Sequence, residues 1–263
     1  MDKILQLDNP PVVQVGIDFR FDPDPEKQSW DLPVAMPFVE RFRESLPCVE
    51  VVRAEEIRIE KRSPQGLPER LSGKIRLDRV SAHDEAERHW LEVGDDRMGY
   101  RLLRGAKEYP GFDAVLEKAL SVLGEYIEHF RPTAVRRTLL SYLDIVTIPR
   151  AAREGIELDD YFRLGLKLPE DPFGPLGAFV IQFVLPPKPG FDELNMVFAT
   201  EPVTDDNDLR FSMRWQSRCD GIDSLDAADL RCRLNSAHEH LVKCFFACFT
   251  VKGLELFGST GSE

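Results

Sequence analysis

Hydrophobic and polar residues alternate along much of the first hundred positions. Between Val12 and Phe21, apolar residues occupy every second position, and polar residues such as Asp18 and Arg20 separate them. This two-residue period is typical of a β-strand with one buried face. Similar segments predict further strands at residues 49–62, 73–82, 88–94 and 97–104. The polar positions within them indicate antiparallel strands whose second face meets solvent.

Three segments show the three- and four-residue spacing of an amphipathic helix instead. A short helix is predicted from Pro33 to Ser45, and longer ones from Phe112 to Phe130 and from Ser224 to Thr250. Ser224 or Asp223 is the predicted N-cap of the last helix. A helix of about 25 residues is roughly 38 Å long. Its apolar stripe therefore requires a broad sheet or another long helix to cover it.

The order of predicted elements repeats in the two halves of the chain. The second half adds strands at 135–148, 178–185, 193–200 and 209–216 and a short helix at 158–165. Residues 1–132 then read β-α-β-β-β-β-α, and residues 133–263 read β-α-β-β-β-α, within one continuous structural unit. The predicted class is α+β, with antiparallel sheets packed on two long helices as duplicated β-α-β(3-4)-α units. Helix-grip and TATA-binding-protein-like folds have this architecture, but a fold by itself does not define a function.

Composition and charge restrict the partners to be expected. The 263-residue chain has a formal net charge of −12, which repels phosphate backbones, so nucleic acid is not an expected partner. No stretch approaches the 18 apolar residues of a membrane helix, so no membrane partner is expected either. The five cysteines are odd in number, and the first residues do not resemble a signal peptide. We therefore expect a reduced, cytoplasmic protein.

The histidine and cysteine residues of the last predicted helix invite a metal-site interpretation. His238 and His240 flank Glu239, but a zincin motif needs histidines four positions apart. His240, Cys244 and Cys248 share one helix edge, yet positions eight apart are about 12 Å apart along the axis. No metal site or cofactor is predicted, and core packing is the favoured role of the two cysteines.

Two polar clusters elsewhere have ordinary explanations. His83, Asp84, Glu85 and His89 suggest acid–base chemistry, but a charged, solvent-exposed hairpin explains them equally well. The acidic segment 205–208 lacks the glycine and terminal glutamate of a calcium-binding loop and is interpreted as a turn.

No catalytic residue is predicted, because the chain contains no nucleophile elbow, phosphate-binding loop or dinucleotide-binding glycine motif. The most notable basic pair is Arg136 and Arg137, at the start of the predicted central strand. A guanidinium that points onto the sheet could bind a carboxylate or phosphate bidentately, as an anchor for a ligand or partner. The alternative is that both arginines pair with nearby acidic side chains.

Several short motifs together resemble a sporadically distributed family of uncharacterised bacterial and archaeal proteins of about this length. They are Pro10-Pro11 with Val15, Ile17 and Phe19, Trp30, Tyr109-Pro110, the strand VRRTLLSYLDIVTIP at 135–149, Asp160-Tyr161-Phe162, and Ala237-His238-Glu239 with Phe245, Thr250, Leu254 and Phe257-Gly258. Similar proteins often have Arg-Tyr-Ile-Asn where this chain has Ser141-Tyr142-Leu143-Asp144. The resemblance implies no established activity, and a patchy distribution suits an accessory system such as phage defence or toxin neutralisation.

The sequence favours a non-enzymatic, cytosolic binding or interaction protein, such as a component of an accessory or defence operon. Its expected partner is another protein or a second copy of itself, contacted through a sheet face or edge. The alternative is a small-molecule-binding protein or enzyme that uses a concave sheet pocket.

Overall fold

The computed structural model describes residues 7–22, 30–62, 68–104, 109–149, 157–164, 178–187, 192–202 and 208–258, with the backbone alone at 55–62 and 68–75. The acidic segment at 205–208, apart from Asp208, lies outside the described residues.

Nine strands form one antiparallel sheet, in the order β2-β3-β4-β5-β1-β6-β9-β8-β7. In chain order they are β1 (Val12–Asp22), β2 (Cys48–Arg62), β3 (Pro68–His83), β4 (His89–Gly94), β5 (Arg97–Leu103), β6 (Ala134–Ile148), β7 (Val180–Leu185), β8 (Glu193–Thr200) and β9 (Leu209–Ser224). β1 and β6 pair with each other in the middle, so strands from both sides of residue 132 belong to one sheet.

Four α-helices occur in the described part of the chain. They are α1 (Leu32–Val39), α2 (Phe112–Phe130), α3 (Ala227–Ala247) and α4 (Val251–Glu255). α2 contacts β1 and β5, while α3 contacts β6, β9 and α2. None of the helices in the described residues is long and apolar enough to cross a membrane.

The core lies between the helices and one face of the sheet. The predicted alternation in β1 is confirmed, because Val15, Ile17 and Phe19 are fully buried. The apolar stripe of α2 is confirmed as well, and its Leu116 and Leu123 are buried against the sheet. The fold is therefore α+β with a large antiparallel sheet covered on one face.

The prediction of two long helices needs correction. α2 has 19 residues and α3 has 21, and α3 ends at Ala247 instead of continuing to Thr250. Residues 248–250 turn away to pair with the segment around Phe162, which forms a bridge with Phe249. The Thr250 side chain then caps α4, accepting a hydrogen bond of 3.1 Å from the backbone N–H of Gly253.

Other boundaries also differ from the predictions. β9 continues to Ser224, which pairs with Val135 of β6 beyond a register shift, so the predicted helix cap at 223–224 is wrong. Asp226 caps α3 instead, accepting from the N–H of Ala228 at 3.0 Å. The first helix stops at Val39 and continues only as a 3-10 turn, and the predicted helix at 158–165 is a 3-10 turn at Leu158–Asp160.

Substitution of Gly253 by alanine tests the packing of the C-terminal segment. A Cβ atom there would overlap the carbonyl oxygen of Tyr161, which already accepts a hydrogen bond from Thr250. We expect Gly253→Ala to lower the free energy of unfolding by about 1–3 kcal/mol in urea denaturation. Gly124→Ala in α2 is the control, because a Cβ atom there would meet no neighbouring residue within 4 Å, and it should raise stability by up to about 1 kcal/mol. Equal effects of the two substitutions would contradict this packing.

Candidate functional site

A pocket of about 680 Å³ lies between the sheet, the beginning of α2 and the C-terminal half of α3. We call it the helix-side pocket. Most of its lining is apolar or aromatic, and it comprises Leu7, Asp8, Pro10, Pro11, Val12, Arg104, Tyr109, Pro110, Gly111, Phe112, Tyr142, Asp144, Trp215, His238, Leu241, Val242, Phe245 and Phe246. This size and composition are typical of small-molecule sites.

β6 and β9 contribute three side chains to this pocket. Tyr142 and Asp144 are two positions apart on β6, so both point towards the helices. Trp215 on β9 lies directly opposite Tyr142 in the strand register. All three residues are buried, and their polar atoms are brought to one wall of the pocket.

The helices form the facing wall. His238 on α3 stacks on the ring of Phe112 at the start of α2, with ring centroids 4.0 Å apart. Its Nδ1 atom shares a hydrogen bond of 2.8 Å with the hydroxyl of Tyr142. Gly111 precedes α2 with φ of +91°, a conformation that residues other than glycine rarely adopt. This bend brings Phe112 and Tyr109 to the pocket.

The chain before β1 closes one side. The carbonyl oxygen of Pro11 accepts a hydrogen bond of 3.0 Å from the N–H of Ile145, which ties this segment to β6. The guanidinium of Arg104 donates to the carbonyl oxygen of Pro10 and, at 2.9 Å, to the side chain of Asn9. The conspicuous Pro10-Pro11 pair is thus part of the pocket wall.

Asp144 is the most unusual group in the pocket. It is 3% exposed, and no ion pair to it occurs among the described residues. Burial raises the pKa of Asp144 to about 7, because an ionised carboxylate is poorly solvated there, while the indole of Trp215 acts in the opposite direction. The carboxyl therefore changes its charge near neutral pH.

The neighbouring histidine stays neutral over the same range. Burial lowers the pKa of His238 to about 4, and burial also holds the pKa of Tyr142 well above its usual value. The hydrogen bond between them accordingly joins two uncharged groups. Asp144 is left as the pocket group whose charge responds to pH near 7.

Two further polar groups line the pocket near Asp144. The buried indole N–H of Trp215 faces Asp144, and the buried hydroxyl of Tyr109 faces Tyr142, but neither forms a hydrogen bond of normal geometry within the described part of the chain. A buried donor without an acceptor costs free energy. The pocket wall therefore combines one titratable carboxyl with two donors that lack well-placed acceptors.

The predicted anchor pair, Arg136 and Arg137, lies outside this pocket. Arg136 is exposed and pairs with Asp22, whereas Arg137 pairs with Asp220 on β9. The structure thus places both arginines beside acidic side chains, which was the alternative interpretation. Arg137 also lines a depression on the uncovered face of the sheet, opposite the helix-side pocket.

The histidine and cysteine residues of α3 that invited a metal-site interpretation do not form one site. His238 enters the pocket, while Nε2 of His240 lies 3.5 Å from the sulfur of Cys244. Cys244 and Cys248 are half-buried and pack against the core, as predicted. Within the described ranges, no group of three or more histidine, cysteine or acidic residues could hold a metal ion.

The polar cluster of His83, Asp84 and His89 stabilises the turn between β3 and β4. His83 stacks on Trp90, with ring centroids 4.2 Å apart. The carboxylate of Asp84 accepts hydrogen bonds from the N–H groups of Arg88 and His89, at 2.6 and 3.1 Å. These contacts explain the polarity of the β3–β4 hairpin.

Sequence reasoning missed Asp144, Tyr109 and Trp215. A signal for Asp144 was present, because it has the same parity in β6 as the buried Leu140, Tyr142 and Val146. Strict use of the two-residue period would have marked an acid on the covered side of the sheet.

Comparison of the sequence with protein-family profiles gives no match, and comparison with curated protein sequences gives none either.

The Asp144→Asn substitution tests the buried carboxyl. In the folded protein its pKa is raised, so its ionisation makes the wild type lose stability as pH rises from about 4 to about 7, after which the loss levels off. We expect Asp144→Asn to remove this loss. Between pH 4 and pH 8, its free energy of unfolding should rise by up to about 4 kcal/mol relative to that of the wild type. Urea denaturation across that range measures it. Tyr142→Phe, which keeps the carboxyl, should retain the pH dependence, and an identical pH profile for Asp144→Asn and wild type would refute the assignment.

Proposed function

We propose that the protein binds a small organic molecule in the helix-side pocket. The observation that carries this proposal is the buried carboxyl of Asp144, which lies without a cationic partner among the described residues on the wall of a largely aromatic pocket. Burying an acid costs stability. Retaining one at a pocket wall is characteristic of a binding site, where a ligand supplies the missing partner.

The lining defines the chemistry of the ligand. The rings of Phe112, Tyr142 and Phe246 favour a flat, mostly apolar molecule. Asp144 requires a hydrogen-bond donor or cationic group on that molecule, such as an amine or a ring N–H. A hydrogen-bond acceptor on the ligand, next to that group, would pair with the donors of Trp215 and Tyr109.

Binding is favoured over catalysis by the state of the neighbouring groups. Acid–base catalysis commonly uses a pair of groups that exchange protons near the working pH, and Asp144 is one such group. His238 is neutral and held by Tyr142, so it supports the pocket wall more readily than it transfers a proton. Asp144 then has no adjacent nucleophile among the described residues.

A pocket-filling substitution tests the proposal. Val242 lines the pocket from α3, and Val242→Trp should occupy its apolar part. Native mass spectrometry should show a co-purified small molecule on the wild type, and 8-anilinonaphthalene-1-sulfonate should fluoresce on binding to the emptied protein. We expect Val242→Trp to weaken binding of this probe at least about tenfold.

Ala247→Trp is the matched control, because Ala247 is exposed on the same helix and does not line the pocket. It should bind the probe like the wild type. Equal binding by all three proteins would show that the pocket does not receive apolar molecules.

A second candidate function is self-association through β7, the last strand of the sheet. Val180 and Val184 are 73% and 61% exposed, and the outer edge of β7 pairs with no strand in the described ranges. The strand contains no charged residue, so two copies can pair antiparallel without repulsion between like charges. This supports the expectation of an interaction protein that contacts its partner through a sheet edge.

Val184→Lys tests this second function. A charge on the edge strand should prevent pairing of two sheets, converting a dimer into a monomer in sedimentation velocity experiments. Val251→Lys is the control, because Val251 is 67% exposed on α4 and belongs to no strand, and it should leave the dimer intact. A wild type that is monomeric at micromolar concentration would exclude the proposal.

We also infer that the two halves, 1–132 and 133–263, are duplicated units of a helix-grip or TATA-binding-protein-like type. The pairing supports this inference, since each first strand, β1 or β6, pairs with the last strand of its own half, β5 or β9. The remaining strands of each half then follow outwards in reverse order. A cytoplasmic role in an accessory or defence system fits the family resemblance.

A further inference from the structure

The uncovered face of the sheet carries a cluster of arginine side chains. Six of them, Arg20, Arg79, Arg97, Arg101, Arg137 and Arg218, line a depression of about 410 Å³. They come from five strands and are between 21% and 46% exposed, so they are confined but accessible. We call this depression the arginine pocket.

Strand alternation places these arginines together. Arg20 lies opposite Arg97 on β5 and Arg137 on β6. Arg218 on β9 lies opposite Leu139, two residues along β6 from Arg137. Residues of opposite parity on the same strands, such as Phe19, point into the core. The cluster is thus a product of strand register and not of one contiguous basic motif.

Two glycines in the sheet leave space for the side chains of the arginine pocket. A Cβ atom at Gly16 would lie 2.8 Å from the hydroxyl of Ser141 and 3.3 Å from Cγ of Arg101. A Cβ atom at Gly99 would overlap the carboxylate of Asp18. Both glycines therefore leave room for Arg101 and Asp18 to lie across the sheet.

Guanidiniums outnumber carboxylates in the lining itself. Six arginines face two carboxylates there, Asp18 and Glu92, and four acids outside the lining balance the remaining formal charge. Glu92 interacts with three of the arginines at 3.3–4.0 Å, so one acid serves several guanidiniums. Guanidinium groups in excess over carboxylates are suited to bind phosphate oxygens bidentately.

Further acids surround the lining without belonging to it. Asp78, Asp96, Glu193 and Asp220 each pair with one or more of these arginines from outside. They orient the guanidiniums, and with the net charge of −12 they repel any anion that extends beyond the depression. The arrangement favours a compact anion over a long charged strand.

We propose that the arginine pocket binds a compact polyphosphate group, such as a free triphosphate or the triphosphate of a nucleotide. About 410 Å³ accommodates a few phosphate groups, whose oxygens can accept hydrogen bonds from several of the six guanidiniums at once. The site is on the opposite face of the sheet from the helix-side pocket. The two sites are therefore spatially separate and share no lining residue.

Isothermal titration calorimetry with sodium tripolyphosphate at low ionic strength tests the proposal. The wild type should bind one equivalent, and Arg137→Gln should weaken binding about tenfold or more, because it removes one charged hydrogen-bond donor group. Arg136→Gln is the matched control, since Arg136 is the neighbouring residue, carries the same charge and does not line the pocket. It should change the affinity less than about twofold.

Further titrations distinguish the sources of the phosphate. Adenosine triphosphate that binds more tightly than tripolyphosphate would identify a nucleotide, and equal affinity would identify the free anion; either result supports the site. Circular dichroism confirms that each variant is folded. The proposal is overturned if tripolyphosphate does not bind, if both arginine variants lose affinity equally, or if only a single-stranded oligonucleotide binds.

Discussion

The structure depends on one constraint: a nine-stranded sheet whose helices cover a single face. Because side chains alternate along every strand, each strand must divide its residues between a dry side and a wet side. The pairing of β1 with β6 in the middle aligns these alternations across the whole sheet. Once that register is set, the parity of a residue decides whether it joins the core or meets solvent.

Asp144 is buried because of this alternation, although burial of an acid is unfavourable. It has the parity of core residues such as Leu140 and Val146, so it is buried although it is an acid. The chain tolerates it at the wall of a pocket, beside the neutral pair of Tyr142 and His238. A carboxyl whose pKa is raised to about 7 and which has no cationic partner in the described residues is a feature of binding sites more than of structural cores.

The alternate residues of the same strands lie on the uncovered face of the sheet, where arginines form a cluster. Arg137 belongs to β6, like Asp144, but lies on the uncovered face among guanidiniums from four other strands. The net charge of −12 therefore describes the average surface and not this patch. Acids such as Asp96 and Asp220, which pair with these arginines, explain how an arginine cluster is maintained on an acidic protein.

The sequence by itself determined the local elements, because two-residue and 3.6-residue periods are properties of neighbouring positions. It predicted α2 from Phe112 to Phe130 and the buried side of β1, and both agree with the structure. It did not predict that residues 248–250 leave the last helix, since their partner near Phe162 is distant in the chain. Both proposed sites were likewise decided by tertiary structure: Trp215 reaches Tyr142, and Arg20 reaches Arg137, only through strand register. Register depends on long-range pairing, which no short sequence motif encodes.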